Sequence, residues 1–443
     1  MEIKLSDHFD FRRLIRFVIP SIVMMIFTSV YGVVDGLFVS NYAGKNDFAA
    51  VNLIMPFPMI IGTAGFMIGT GGTAIVAKLL GQGKNEKANE VFSMLVKVLC
   101  LIGITTSILG IIFIRPIARL MGADDLLIEN CVTYGRILLV FDVCLMLQSM
   151  FQSFLVAAEK PKLGLAVTVA AGITNMLLDW IFVGVLDLGV TGAAFATGIS
   201  QAVGSGIPFV YFLRKNDSLL RLVRSKIDLR IVSQTCINGS SELMTNVSLS
   251  LVNILYNRQL LRFVGVDGVA AYGVIMYVNF IFVSIFIGYS IGSSPLIGYN
   301  YGADNRIELK NLFKKSLYVI SVSGAVMFMA AQLSAGLLAD IFVGYDESLY
   351  KITYNGFRLF SLAFIVMGFN IFGSAFFTAL GNGLISALIS FLRTLVFQVA
   401  AVLILPAFLG LNGIWLSALT AEIAALFVTV YFLINKKKRY HYL

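Results

Sequence analysis

Twelve long apolar segments constrain the fold of this chain more than any other feature of its sequence. A bilayer-spanning helix needs about 20 consecutive, mostly apolar residues, and each segment reaches that length. The segments are continuous and lack the period-two alternation of membrane β-barrels. They therefore predict an all-α membrane protein with twelve transmembrane helices, at residues 16–40, 48–77, 92–114, 126–156, 162–185, 190–213, 232–257, 268–298, 314–337, 349–380, 384–407 and 412–434.

The composition agrees with a lipid environment. Hydrophobic residues make up 58% of the 443-residue chain and charged residues only 13%, whereas soluble domains carry about 45–50% apolar and 25% charged residues. A soluble protein of this composition would expose far more apolar surface than water tolerates.

The predicted helices contain no histidine, so no Ser/His/Asp or Cys/His catalytic grouping is possible within the membrane. The two histidines, His8 and His441, lie near the ends of the chain, and no phosphate-binding G-x-x-x-x-G-K-[ST] motif occurs. The four cysteines have no paired spacing, so we infer no disulfide and no metal site beyond a candidate Na⁺ site. We expect a protein that is not an enzyme and that has no cofactor.

The distribution of Lys and Arg predicts the orientation. With the connections numbered alternately from the N-terminus, 23 of the 33 Lys and Arg residues fall on the side of the termini and six on the other. Positive charge marks the cytoplasmic side, so we expect both termini in the cytoplasm. The net charge of +9 is therefore a topology signal, and we expect no nucleic-acid binding.

The two halves of the chain match each other without gaps at an offset of 221 residues. The aligned pairs run through loops as well as helices, and they include Gly71 with Gly292, Gly81 with Gly302, Phe92 with Phe313, Gly135 with Gly356, Phe151 with Phe372 and Gly192 with Gly413. Six helices per half is an even number, so the halves share one orientation and are related by a pseudo-twofold axis along the membrane normal. We expect two domains, residues 1–220 and 221–443. Paired bundles of this kind bind substrate between the halves and expose it to each side in turn.

Four oxygen-bearing side chains are predicted to share one layer of the first bundle. Asp35, Asp179 and Thr197 each lie about 9 Å below the outer surface at ~1.5 Å per residue, and Asn175 is one turn from Asp179 on the same face. Two carboxyl groups with an amide and a hydroxyl suit either Na⁺ or a shared proton. Separate packing or capping roles remain the alternative. The partners at the 221-residue offset are Tyr256, Val396, Ala400 and Ala418, so the second half lacks this layer.

Other polar residues form two stripes inside the membrane. Glu242, Asn246 and Asn253 follow one face of the seventh helix, toward either the space between the halves or a neighbouring helix. Asp142 lies on the fourth helix, and we interpret nearby Arg136 as its neutralising partner. Pro20 weakens the first helix and would act as a hinge or as a static kink.

Several motifs, in their order along two six-helix repeats, resemble those of the multidrug and toxic compound extrusion (MATE) family. They are Val34-Asp35-Gly36-Leu37-Phe38-Val39 followed by Gly44, Gly81-Gln82-Gly83, Glu159-Lys160-Pro161, Asn175-Met176-Leu177-Leu178-Asp179 and Gly192-Ala193-Ala194. The resemblance implies the fold of the MOP flippase superfamily and a cation-driven antiporter. In its DinF-like branch, an Asp-Asn-Asp-Thr cation site matches Asp35, Asn175, Asp179 and Thr197, with a helix 1 proline at Pro20 and a tyrosine at Tyr31. In its NorM-like branch, Glu242 matches a second-site glutamate, and Asn370 stands where that branch has an aspartate.

We therefore expect a bacterial inner-membrane exporter of amphipathic organic molecules, monomeric and driven by H⁺ or Na⁺. Candidate second-site residues are Glu242, Asn246 and Asn370, and candidate cavity residues are Tyr31, Gln148, Gln152 and Tyr277. One alternative is a flippase for a lipid-linked or oligosaccharide substrate, which a lipid-scrambling assay would reveal. The other is a sensor or scaffold that transports nothing.

Overall fold

The computed structural model describes residues 3–42 and 45–443, without the side chains at positions 37, 40–42, 45, 46 and 48. Gly44 of the first MATE-like motif lies outside the described residues. The described part of the first half contains α1 (Phe11–Tyr42), α2 (Lys45–Ile54), α3 (Pro56–Gly81), α4 (Asn85–Leu120), α5 (Ile128–Val140), α6 (Asp142–Ala157), α7 (Pro161–Asp179) and α8 (Gly189–Leu213). The second half forms eight more: α9 (Leu229–Val264), α10 (Val266–Gly302), α11 (Arg306–Val343), α12 (Glu347–Phe360), α13 (Phe364–Ala379), α14 (Gly383–Phe391), α15 (Gln398–Leu409) and α16 (Leu411–Tyr440). Within the described ranges, no strand occurs.

These helices correspond to the twelve predicted spans and confirm the all-α membrane fold. Among the described residues, ten stretches are long and apolar enough to cross a bilayer, and α5 with α6 forms an eleventh, bent by 53°. The remaining predicted span is α9, whose 36 residues include Glu242 and several Asn, Ser and Thr residues. Its polar face lowers its average hydrophobicity without shortening the helix.

Several spans that the sequence predicts as single helices are broken or locally widened. The span at 48–77 is divided at Met55, because Pro56 has no backbone N–H to continue the hydrogen-bond ladder of α2. A short 3₁₀ turn separates α12 from α13. A π-helical turn follows α7 at Trp180–Val185, and another joins α14 to α15 at Leu392–Phe397. Such π turns are rare and often lie at functional sites.

The two bundles carry equivalent core contacts, as the repeat predicts. Phe92 and Phe151 of the first bundle have ring centroids 6.4 Å apart. Their repeat partners, Phe313 and Phe372, are also 6.4 Å apart. Duplicated positions therefore pack alike in the two halves. The division into separate domains at residues 220 and 221, which falls between α8 and α9, stays a prediction.

The bundles contact each other where small residues allow their backbones to approach closely. The principal contacts between them are those of α1 with α10, and of α3 with α9 and α10. A Cβ atom added at Gly239 of α9 would collide with the carbonyl oxygen of Met67, and one at Gly302 of α10 would collide with that of Lys78. Helices without a hydrophobic driving force between them associate through such close packing.

Both ends of the chain lie on one side of the bundles, here called the terminal side. The backbone N–H of Phe9 donates to Glu308 Oε1 at the start of α11, at 3.0 Å. Tyr442 lies two residues beyond the end of α16 at Tyr440, and its ring packs 5.0 Å from that of Phe313 on α11. The number of spans is therefore even, as the charge pattern requires.

Candidate functional site

Three helices of the first bundle bring the predicted oxygen layer together. Asp35 comes from α1, Asn175 and Asp179 lie one turn apart on α7, and Thr197 comes from α8. The hydroxyl of Thr197 donates to Asp35 Oδ1 at 3.5 Å. Asp35 also interacts electrostatically with the side chains of Asn175 and Asp179. All four predicted residues thus share one site.

The burial of this cluster is uneven. Asp179 is 0% exposed and Asn175 is 1% exposed, whereas Asp35 and Thr197 are partly exposed. Among the described residues, neither carboxylate oxygen of Asp179 has a hydrogen-bond partner of good geometry, and Asn175 Oδ1 has none either. Buried polar atoms are nearly always paired, and a charge in the membrane interior is costly. The unpaired oxygens therefore suit a cation with oxygen ligands or a bound proton, with Asp35 on the exposed side.

Tyr134 brings a fourth helix, α5, to this site, and the sequence did not identify it. Its side chain is 0% exposed, and it interacts electrostatically with both Asp35 and Asp179. Its hydroxyl lies 3.5 Å from Met55 Sδ. One tyrosine among the 17 in the chain carries no motif, so no sequence signal could have found it.

The candidate cavity residues separate into two groups. Tyr31 interacts with both Asp35 and the side chain of Gln148, so these residues extend the acidic site toward α6. Gln152 is buried one turn further along α6. Tyr277 lies on α10 of the other bundle, and its side chain is 48% exposed.

Pro20 lies inside α1, which continues through it from Phe11 to Tyr42. It lies on the same helix as Tyr31 and Asp35, nearer the terminal side. Its neighbour Ser21 is 0% exposed, and its hydroxyl has no hydrogen-bond partner among the described residues. The weakened backbone at Pro20 is thus buried where α1 meets α10.

The second bundle arranges its candidate residues in two places. Glu242 and Asn246 lie on one face of α9, where the Asn246 amide donates to the backbone oxygen of Glu242 at 2.9 Å. Asn370 of α13 lies elsewhere and donates to Glu422 Oε2 of α16 at 2.7 Å. The structure therefore joins Asn370 to Glu422 and leaves it without a direct bond to Glu242.

Asp142 has a different partner from the one the sequence suggested. It is 1% exposed at the bend between α5 and α6, and its Oδ2 accepts a hydrogen bond from Thr106 at 3.0 Å. Arg136 is exposed and forms no ion pair with it in the described part of the chain. The interpretation of Arg136 as the neutralising partner is wrong, because their side chains point to different surroundings across the bend.

Comparisons with known proteins agree with the motifs and with the fold. The multidrug export protein MepA of Staphylococcus saprophyticus subsp. saprophyticus is 24% identical over 419 residues, covering 93% of this chain and 91% of the relative. A crystal structure of MATE in complex with MaL6 superposes with a TM-score of 0.92 at 23% identity over 97% of each chain. A MATE family multidrug resistance transporter of the MOP superfamily, in an outward-facing conformation, superposes with a TM-score of 0.91 at 22% identity, again over 97% of each chain.

The family model described as MatE matches this chain twice, at residues 20–181 and 243–404. The two matches fall in the two halves of the 221-residue repeat and together cover more than half of the chain. The chain belongs to the MatE family.

Proposed function

We propose that this protein exports small organic molecules, including drugs, by antiport with a cation that binds at Asp35, Asn175, Asp179 and Thr197. The observation that carries the proposal is the buried carboxylate of Asp179, whose oxygens have no hydrogen-bond partner of good geometry among the described residues and which lies beside the partly exposed Asp35. Membership of the MatE family and the similarity to a multidrug export protein support the direction and class of transport.

The proposed cycle follows from charge balance within the site. Without a cation, two carboxyl groups face each other in a buried layer and repel. Binding of Na⁺ or H⁺ neutralises them, so that α1 and α7 can approach and α1 shifts relative to Pro20. Since a ligand shifts an equilibrium only through its different affinity for two states, this difference couples cation entry to substrate exit.

Substrate is proposed to bind between the bundles. Tyr31 and Gln148 extend the acidic site in the first bundle, and Glu242 is partly exposed on α9 of the second. An acidic and aromatic surface favours amphipathic organic cations through charge and cation–π contacts. One chain supplies all the residues of the proposed cation and substrate sites, so we propose that the protein is a monomer.

The experiment is efflux from proteoliposomes with the proton and Na⁺ gradients collapsed separately. Asp35→Asn and Asp179→Asn should each abolish the response to the coupling gradient. Asp125→Asn is the matched control, because its side chain is 98% exposed outside this site. Normal gradient-driven efflux in both site variants would disprove the assignment, and lipid scrambling without drug efflux would favour a flippase.

We also propose that the terminal side is cytoplasmic in a bacterial inner membrane. The excess of Lys and Arg supports this orientation, and the close contacts between bundles at Gly302 lie on that side. In a variant without native cysteines, a cysteine at His441 should react with an impermeant maleimide only in inside-out vesicles. A cysteine at Asp125 should react only in right-side-out vesicles.

A further inference from the structure

The second bundle contains a buried ion pair that has no counterpart in the first. Arg393, in the π-helical turn between α14 and α15, donates through Nε to Glu422 Oε1 at 2.8 Å, with side chains 13% and 6% exposed. The repeat partners of these two residues are Gly172 and Gln201. The two bundles therefore share one helical scaffold but differ in the charged residues buried within it.

Glu422 is fully satisfied within this network. Its Oε2 accepts a hydrogen bond from Asn370 at 2.7 Å, and Asn370 Oδ1 in turn accepts one from Thr429 at 2.8 Å. A buried ion pair is tolerated only when its geometry is good and further hydrogen bonds complete it. The network thus holds Arg393 on the side of α16.

Glu242 on α9 is the second acid within electrostatic reach of Arg393. Four helices pack against the π-helical turn, namely α9, α14, α15 and α16, and their acidic residues are Glu242 and Glu422. No hydrogen bond reaches the carboxylate of Glu242 from the described residues, and the residue is partly exposed. Two carboxylates and one guanidinium, which stays protonated in proteins, leave one negative charge on the side of Glu242.

We propose that Arg393 is a positioning residue that sets the substrate charge preference of the second bundle, because Glu422 holds it away from Glu242. Glu242 then remains a single, partly exposed negative charge that selects the cationic group of an organic substrate. This inference rests on the proposed export function. It assigns no ion coupling to the second bundle, since the guanidinium already supplies the cation there.

The proposed charge preference depends on the pairing of Arg393 with Glu422, so it should change when that pair is broken. If Glu422 loses its charge, Arg393 keeps only one carboxylate partner and turns to Glu242. Arg393 then neutralises the negative charge of Glu242 between the bundles, and Glu242 no longer attracts a cationic ligand. Removal of both Arg393 and Glu422 leaves Glu242 as the sole charge and restores that attraction.

The test measures equilibrium binding of ethidium and of a neutral phenanthridine to the full-length protein in detergent. Glu422→Gln should lower the preference for ethidium about tenfold, to the level of Glu242→Gln. The double variant Arg393→Gln with Glu422→Gln should return the preference close to that of the wild type. Glu347→Gln is the matched control, because Glu347 forms an ion pair with Lys351 in which both side chains are exposed.

Two results would overturn the inference: an unchanged preference in Glu422→Gln, or a double variant that binds ethidium no better than Glu422→Gln alone. A merely structural role predicts the first result, since damage to the fold weakens the binding of both ligands alike and leaves the preference between them unchanged. Glutamine keeps an acceptor for Asn370, and the thermal midpoint of each variant reports its stability. Failure of the proposed function would appear separately, as wild-type protein without gradient-driven flux.

Discussion

Glu308 accepts a hydrogen bond from the backbone of Phe9 and so fastens the N-terminal segment to α11 of the second bundle, at 3.0 Å. Asn311 completes the attachment by donating to the carbonyl oxygen of Phe9 at 2.9 Å. The same segment reaches the first bundle, where the backbone N–H of Leu5 donates to Glu159. Leu5 and Phe9 are both 0% exposed, so residues 3–10 form a strap across the terminal side.

The strap should hold the two bundles together on the terminal side. Phe9→Ala removes a buried ring, which costs about 3–5 kcal/mol in a packed core, and should shift the bundles apart on this side. Spin labels at Lys84 and Ile307, both exposed, would then show a longer distance population. Phe408→Ala is the control, because Phe408 is 82% exposed. An unaltered distance in Phe9→Ala would show that the strap does not hold the two bundles together on this side.

The close contact of α3 with α10 should tolerate no added methyl group. Gly302→Ala places a Cβ against the carbonyl oxygen of Lys78, and backbone atoms cannot yield as a flexible side chain can. We expect loss of the short distance population between the same spin labels, with lower transport. Gly273→Ala, on the same helix with no atom near the added Cβ, should behave as the wild type. Equal distances in the two alanine variants would contradict the packing argument.

Thr197 should contribute to affinity for the coupling ion through its hydroxyl. Thr197→Ala removes the donor to Asp35 and should raise the half-maximal ion concentration for transport about threefold to tenfold, a loss of about 0.6–1.4 kcal/mol. Thr197→Ser should keep the wild-type value. Thr174→Ala serves as a control, because the Thr174 hydroxyl bonds only to the backbone of its own helix at Ala170 in the described structure. An identical ion dependence in all variants would exclude a role for this hydroxyl.

The hydroxyl of Tyr134 should tune the ion affinity of the acidic site and contribute little to the stability of the fold. Tyr134→Phe keeps the buried ring and removes only the hydroxyl, so the thermal midpoint should change little. The hydroxyl dipole beside Asp35 and Asp179 is lost, and the half-maximal ion concentration should change severalfold. Tyr134→Ala would instead create a cavity costing about 3–5 kcal/mol. Ion dependence that changes only in Tyr134→Ala would reduce the residue to a packing role.

The N-terminal strap and the acidic cluster differ in how far the sequence could predict them. Asn175 and Asp179 are four residues apart on one apolar helix, so helix geometry alone places them on one face. Their equal depth with Asp35 and Thr197 followed from counting residues to the helix ends. The contact of Phe9 with Glu308 spans 299 residues, and no periodicity relates such positions.

The sequence by itself determined the apolar spans and the duplicated bundles, because hydropathy, helical period and a constant repeat offset are properties read along the chain. Only the tertiary structure decided which charges meet. It placed Tyr134 beside Asp35 and Asp179, gave Asp142 a threonine partner, and bound Arg393 to Glu422. Side-chain pairing between helices depends on their rotation and crossing, which packing sets and which residue spacing within one helix does not contain.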